Sequence, residues 1–433
     1  MFTALVDRFI KTFRLGSGSK KYLVNTSWLF LEQVARMVVG LFVSVWLIRY
    51  LGPDRYGILS YAQSLVILLG AVATLGIDQI LIRELVRKHY RPGALLGTAL
   101  ALKLTGATLV LLILLTATTF SDTEPIIRLL VVIIASGTLF KSVDVIGLYF
   151  DSQVRSKFTV SAKLFGFVVL TITKVVLLLT EAPLVAFAII IACESVLYAG
   201  SLVYYYRKLR PQIRGWSIDR SLVGPLLAQS WPLIFSGIAI NIGMRIDQIM
   251  LKSYLDTTSV GVYAAGVKLA EVVNFLPIVV GQSLFPKIVS MDLEKEAHKI
   301  RRMIRDIFYL LVGVALFVNL VSYYAVTLLY GEEYRLSYQV VNVLVWTVPF
   351  IYLGIITSRL LIKSNDSQGV FIRQGLVALT NVGLNLWFIP NYGIVGSAWA
   401  TLLAILIVIG LEVFLPSTRW IFWLKVKSIL FIK

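Results

Sequence analysis

Thiol and imidazole chemistry is nearly absent from this chain. Its 433 residues include one cysteine and two histidines. The lone Cys193 excludes a disulfide within the chain, and its place in an apolar run suits a small packed residue. His89 and His298 lie far apart in sequence, and no metal-ligand spacing or nucleophile triad accompanies them. Acidic residues are also scarce, 23 against 41 Lys and Arg, for a net charge of +18. Charged residues of both signs make up 15% of the chain and apolar residues 58%, with a mean hydropathy of +0.84. A globule of that composition would not stay in water. Binding to nucleic acid would need a basic patch on a soluble module, and no segment supplies one.

What fills the chain is a ladder of about twelve apolar stretches, each long enough to cross a bilayer as a helix. They are read as 24–48, 57–77, 94–119, 126–150, 159–180, 183–206, 223–250, 260–286, 303–329, 336–362, 370–389 and 392–415. The turns at Glu181–Pro183 and Asn391 interrupt otherwise continuous apolar runs. Pro232, Pro277 and Pro349 fall inside spans and predict kinks. The cations test the count, because cytoplasmic loops are enriched in Lys and Arg. With Met1 inside, most of the 41 cations fall in inner segments, while the outer loops hold Arg49, Arg55, Arg128, Lys252 and Arg335. A miscounted span would spoil that alternation. The expectation is an all-α multi-pass membrane protein with both termini in the cytoplasm, and the +18 charge is mostly a topology signal.

The polar gaps divide the chain. Residues 1–21 read as an interfacial segment, with Phe2, Leu5, Phe9 and Phe13 on one helical face, ending in a flexible GSGSKK hinge. Residues 22–206 hold the first six spans, and 207–221 form a cytoplasmic linker. Residues 222–415 hold six more, and 416–433 form a basic tail with Trp420 and Trp423 at headgroup level. At a constant offset of 204, Tyr50, Leu51, Gly57 and Leu65 match Tyr254, Leu255, Gly261 and Leu269. Both copies sit at the first turn of their half. Six spans per half give parallel repeats, a transporter plan with a substrate site between two lobes. Duplication for packing alone is the competing account.

Ionisable residues inside the spans carry the functional argument. The cations are Arg36, Lys103, Lys141, Lys163, Lys174, Arg245 and Lys268; the acids are Glu32, Asp144, Glu194, Asp247, Glu271 and Glu412. If all faced lipid they would cost on the order of 30–45 kcal/mol, several times the net stability of an ordinary fold. Most therefore face protein or water. Glu32 with Arg36, Lys141 with Asp144, and Lys268 with Glu271 stand at helical spacing for neutralising pairs. Lys163 and Glu412 lie near inner ends and can snorkel. Lys103 and Lys174 are deep in their spans with no acid at helical spacing, and Glu194 is the candidate partner across helices. Polar faces on the first, seventh and eighth spans fit a central aqueous cavity. Unpaired lysines there suit a phosphate, pyrophosphate or acidic-sugar cargo. Asp247 and Glu271 are the candidates for a coupling proton or sodium ion.

Three segments resemble a known family: NTSWLFLEQVARMVVGLFVSVWLIRYLGPDRYGILSYAQSL from Asn25, RIDQIMLKSYLDTTSVGVYAAGVKL from Arg245, and IPNYGIVGSAWATLLA from Ile389. They are similar to the polysaccharide transport branch of the MOP exporter superfamily, the Wzx-type flippases of lipid-linked oligosaccharides. The resemblance covers most of the chain. It implies two pseudo-symmetric six-helix lobes of MATE-like form in a bacterial or archaeal cytoplasmic membrane. It implies an undecaprenyl-pyrophosphate-linked repeat unit as cargo, moved from the inner to the outer leaflet for surface polysaccharide such as O-antigen. Polymerase and chain-length proteins are the implied partners beside membrane lipids; no resident cofactor is implied. Glu32, Arg36, Lys103, Lys141, Asp144, Lys174, Arg245 and Lys268 are the expected lining.

Other readings remain. A multidrug cation extruder of the same superfamily would favour acids in an aromatic cavity, which the unpaired lysines oppose. A lipid-linked peptidoglycan precursor flippase typically carries further spans. A membrane-embedded polymerase or ligase needs a large outer loop for catalysis, and every outer loop here is short. A passive scaffold leaves the buried charges unexplained.

Overall fold

The computed structural model describes residues 17–121, 123–209, 215–290, 296–364 and 366–431; the side chains of 17–35, 282–290 and 367 lie outside that description. Among the described residues all regular structure is helical, as backbone buried in hydrocarbon requires. Ten continuous helical stretches are long and apolar enough to cross a bilayer, against twelve expected spans. Two of the ten explain the difference. Helix α1, Ser17–Leu68, runs 52 residues, about 78 Å of helix for a hydrocarbon core of about 30 Å. It breaks at Gly52, with φ 70° and ψ 169°, a conformation open to a residue without a β-carbon. The hairpin helix Ser367–Leu411 breaks likewise at Gly393, φ 60°. Its arms fold back on each other, since Asn381 Nδ2 donates to Thr401 Oγ1 at 3.1 Å across 20 residues of chain. A straight helix would hold those groups about 30 Å apart. With each arm counted separately, the described residues make twelve helical spans.

The second arm of α1 ends short of residue 77. It is followed by α2, Gly70–Thr74, a left-handed turn at Leu75 and Gly76, and α3, Asp78–Arg87. Prolines open α4, Pro92–Phe120, and α5, Pro125–Lys141, where a missing N–H costs nothing. A 3-10 turn at Ser142–Asp144 joins α5 to α6, Val145–Ser152. Then come α7, Lys157–Leu179, and α8, Leu184–Leu209. Asp219 caps α9, Arg220–Tyr254, accepting from the Ser221 N–H at 2.9 Å. Beyond it lie α10, Thr257–Ser290, and α11, Ala297–Tyr330. The tenth span splits into α12, Ser337–Leu344, and α13, Thr347–Lys363. Pro349 explains the split: it offers no N–H to the Val345 carbonyl, which accepts from Val348 at 3.1 Å instead. Pro232 and Pro277 lie within continuous helix. The hairpin helix is α14, and α15, Arg419–Ile429, closes the described chain.

One expectation changes at the start of the chain. Ser17–Lys21 continue α1 as helix rather than forming a hinge, because one Gly costs only about 1 kcal/mol once a long helix propagates through it. The proposed interfacial face at Phe2, Leu5, Phe9 and Phe13 lies outside the described residues.

Each half packs its own apolar core. The first centres on Leu59, Leu130, Val131 and Phe187, the second on Ile304, Val348, Tyr352 and Ile356. The halves meet at two ends, here named for the linker that precedes α9 (linker end) and for the Gly52 and Gly393 turns (far end). At the far end, the second arm of α1 crosses α10 glycine on glycine. A β-carbon on Gly57 would lie 2.7 Å from the Thr257 carbonyl carbon; one on Gly261 would lie 2.8 Å from that of Pro53. These residues are related by the same offset of 204 that relates Gly57 to Gly261. Thr257 Oγ1 donates to Asp54 beside the crossing, and Lys252 meets Glu124 at 2.9 Å. At the linker end Gly76 packs on Ser230, Leu233 and Ile234 of α9, and Arg83 donates to Gln229.

Candidate functional site

Between the two ends, α1 and α9 run side by side and line two successive pockets. The first, just beneath the Gly57–Gly261 crossing, is small and polar, about 60 Å³. Tyr56, Ser60, Gln63 and Ser64 face it from α1, Arg245 and Gln248 from α9, and Lys268 and Glu271 from α10. Arg245 Nη2 reaches Glu271 at 3.1 Å and Lys268 Nζ reaches it at 3.7 Å. Two cations thus share one carboxylate, and this apex carries a net positive charge. The Lys268–Glu271 spacing acts as its sequence suggests. The second pocket, about 440 Å³, lies in the seam among α1, α2, α4, α5 and α9, with Lys103, Lys141, Ser142 and Asn241 on its wall.

Arg36, Lys174 and Lys163 line neither pocket. Arg36 stands over the Phe167 ring, 5.3 Å from its centre. Lys174 lies within electrostatic reach of Glu194 in its own lobe and of Lys268 in the other. Lys163 stacks on Tyr198 at 5.8 Å. The side chain of Glu32 lies outside the described residues, so its pairing with Arg36 does too.

Several pairings differ from the sequence reading. Lys103 is not unpaired: it is 2% exposed and reaches Asp78 Oδ1 at 2.7 Å. Asp78 opens α3 beyond the end of the second span, 25 residues away in sequence, so no helical spacing signalled it. Lys141 and Asp144 do not pair. The 3-10 turn intervenes, and Asp144 accepts from the Tyr198 hydroxyl at 2.6 Å. Glu412 does not snorkel but is fully buried, between Arg373 of α14 at 2.9 Å and Lys425 of α15. Thr357 of α13 completes this cluster, accepting from Lys425 at 2.9 Å. The tail is therefore no loose anchor: the buried charges and Ile421 dock α15 against the second lobe.

Asp247 also turns away from the inter-lobe space. It is two residues past Arg245, about 200° around the helix. With Arg245 in the apex, Asp247 points into the second lobe, where it is 6% exposed. There it accepts from Tyr263 at 2.6 Å, Thr401 at 2.9 Å and Asn385 at 3.0 Å. Asn385 Oδ1 and Ser397 Oγ are buried in the same lobe with no partner among the described residues. The Asn and Thr partners come from both arms of α14 and carry no charge, so nothing in the charge pattern of the sequence marks them. Among the described residues no group of three His, Cys, Asp or Glu has metal-holding geometry.

Residues 22–292, well over half of the chain, match the family described as polysaccharide biosynthesis protein. The probable flippase AglR of Haloferax volcanii is 28% identical over 167 residues, which is 37% of this chain and 35% of AglR. The chain thus spans about a third of the length of the curated relative it matches. Among solved structures, the lipid II flippase MurJ in an inward closed conformation superposes with a TM-score of 0.75 at 15% identity, over 93% of this chain and 90% of MurJ. An inward-facing multidrug resistance MATE family transporter of the MOP superfamily gives 0.67 at 16% identity, over 91% and 96%. At those identities the likeness is one of fold, and the chain has the two-lobed helical fold of that superfamily.

Proposed function

The chain belongs to the polysaccharide biosynthesis protein family, and from that membership we propose that it flips a lipid-linked oligosaccharide across the membrane by alternating access. The cargo in this reading is a repeat unit on undecaprenyl pyrophosphate, carried from the inner to the outer leaflet for surface polysaccharide such as O-antigen. The chain acts as a transporter, not an enzyme. The basic linker end faces the cytoplasm of a bacterial or archaeal cell, with both termini on that side. Polymerase and chain-length proteins receive the flipped unit.

One observation carries the reading: a cationic apex, with Arg245 and Lys268 on Glu271, set inside the membrane between the lobes. A pyrophosphate that leaves water needs charge and donors to replace its hydration, and Arg and Lys supply both. The lipid tail stays in the bilayer while the headgroup passes between the lobes. AglR is a probable flippase and MurJ a lipid II flippase, which supports a lipid-linked cargo here. The likeness to a multidrug transporter favours a second reading, extrusion of organic cations, which the positive apex opposes.

The driving ion is a proton or sodium, with Asp247 and Glu271 as its carriers. The carboxylate of Asp247 accepts from Tyr263, Thr401 and Asn385, and a cation would have to displace those donors and draw on carboxylate and neutral oxygens such as Asn385 Oδ1. Purified protein in liposomes should move a fluorescent lipid-pyrophosphate oligosaccharide between leaflets, and Asp247→Asn should abolish the dependence on one of the two ions. Flipping no faster than in protein-free vesicles, with folding verified, would sink the reading.

A further inference from the structure

The two pockets lie about one helical turn apart along both helices that line them. Along the second arm of α1, the lining passes from Gln63 of the apex to Ile67 of the seam, one helical turn on. Along α9 it passes from Arg245 to Asn241, one helical turn or about 6 Å. The seam wall is mainly apolar, yet three of its polar groups have unused capacity. Lys141 is exposed to the pocket, and among the described residues it has neither an ion pair nor a hydrogen bond. Ser142 is 2% exposed, and its Oγ has no partner among the described residues. Buried hydroxyls ordinarily find one. Asn241 gives one amide hydrogen to the Ile67 carbonyl at 2.8 Å and keeps a second. Lys103 is already held by Asp78, so Lys141 is the uncompensated charge of the seam.

Depth identifies the ligand. Lys141 lies about 16 Å along the span from Ser152 at the linker end, near the middle of a hydrocarbon core about 30 Å thick. The headgroup of a resident phospholipid stays at the interface. An anion at mid-membrane is in transit.

We propose that the seam pocket is a second phosphoryl site, in which Lys141, Ser142 and Asn241 hold a phosphate of the lipid-linked cargo. From there the phosphate steps one turn along α9 to Arg245 and Lys268. The site rests on the flippase reading. It also draws on both lobes, Lys141 and Ser142 from the first and Asn241 from the second, so a bound phosphate ties them together while the far end is shut.

The test uses the full chain in phosphatidylcholine nanodiscs, with Cys193→Ala and a single reporter cysteine. Ile240→Cys reports the seam and Gln63→Cys the apex, through the rate of labelling by a thiol reagent. Farnesyl pyrophosphate is the probe, and farnesol and phosphatidylglycerol are the comparisons. Farnesyl pyrophosphate should slow labelling at both positions, and farnesol at neither. Lys141→Met should raise the half-protecting concentration at the seam by about tenfold or more while leaving the apex within about threefold. Ser142→Ala should weaken seam protection about threefold with no loss of thermal stability, because its hydroxyl supports no contact in the protein itself. Protection at position 63 but not at 240, or a seam indifferent to Lys141→Met, overturns the second site and leaves the flippase reading standing. Equal protection of 240 by phosphatidylglycerol overturns it in favour of a resident lipid. Protection at neither position overturns the site and the cargo assignment together.

Discussion

Substituting alanine for Gly57 should open the far end of the protein. The added β-carbon would lie 2.7 Å from the Thr257 carbonyl carbon and 2.9 Å from the Gly261 nitrogen. Carbon atoms in contact prefer about 3.5–4.0 Å, so α1 and α10 must separate by about 1 Å. The obstacle is backbone on both sides, which cannot rotate away as a side chain can. Overpacking of this kind costs about 1–3 kcal/mol, occasionally more. At 3 kcal/mol the shut state loses a factor of roughly 150 relative to any state in which the crossing has parted. Alanine also raises helix propensity by about 1 kcal/mol, but it does so in every conformation and leaves that ratio alone. Spin labels at Arg55→Cys and Thr258→Cys, both exposed beside the crossing, would read it as a distance distribution. The parent protein should give a dominant short distance, and Gly57→Ala a dominant long one. Gly261→Ala should do the same, because its β-carbon meets Pro53 in the mirrored position. Gly243→Ala, with nothing near its β-carbon, should change nothing. Unchanged distances in both Gly57→Ala and Gly261→Ala would refute the claim that this crossing is the seal.

Three further outcomes are expected. Asp78→Asn leaves the buried Lys103 ammonium without its counter-charge and should destabilise the first lobe, by less than the about 3–5 kcal/mol of a fully buried pair because Asp78 is 40% exposed; adding Lys103→Met should restore most of it, and a melting series of the three variants checks this. Burial pushes Lys425 down to about 8 despite the opposing pull of Glu412. The undocked tail therefore binds more protons between about pH 8 and 10.5, and docking of α15 should strengthen as pH rises through that window. Hydrogen exchange of Arg419–Ile429, corrected for the intrinsic rate, should show greater protection at pH 9.5 than at pH 7; a fall would contradict it. Lys268→Ala should slow flipping at least tenfold with membrane abundance unchanged, because its 3.7 Å contact with Glu271 duplicates the shorter one made by Arg245; a matching drop in abundance would mark Lys268 as structural.

The membrane, the spans and the internal repeat were legible in the sequence because they follow from local composition. Apolar length sets a crossing, and a glycine or proline between apolar runs sets a turn, as at Gly52 and Gly393. Gly57 and Gly261 announced the repeat through their shared offset, and that offset reappears as the far-end seal. The Lys268–Glu271 contact was readable as well, being a matter of spacing on one helix.

Partners on different helices were not readable in this way. Lys103 found Asp78, Glu412 found Arg373 and Lys425, and Asp247 turned from Arg245 to Asn385 and Thr401. A buried charge must be compensated, and that much the sequence dictated by placing charges inside apolar spans. Which group does so depends on how helices rotate and on which loops fold back. Only the tertiary packing decides that, because the contacts join residues that share no local spacing.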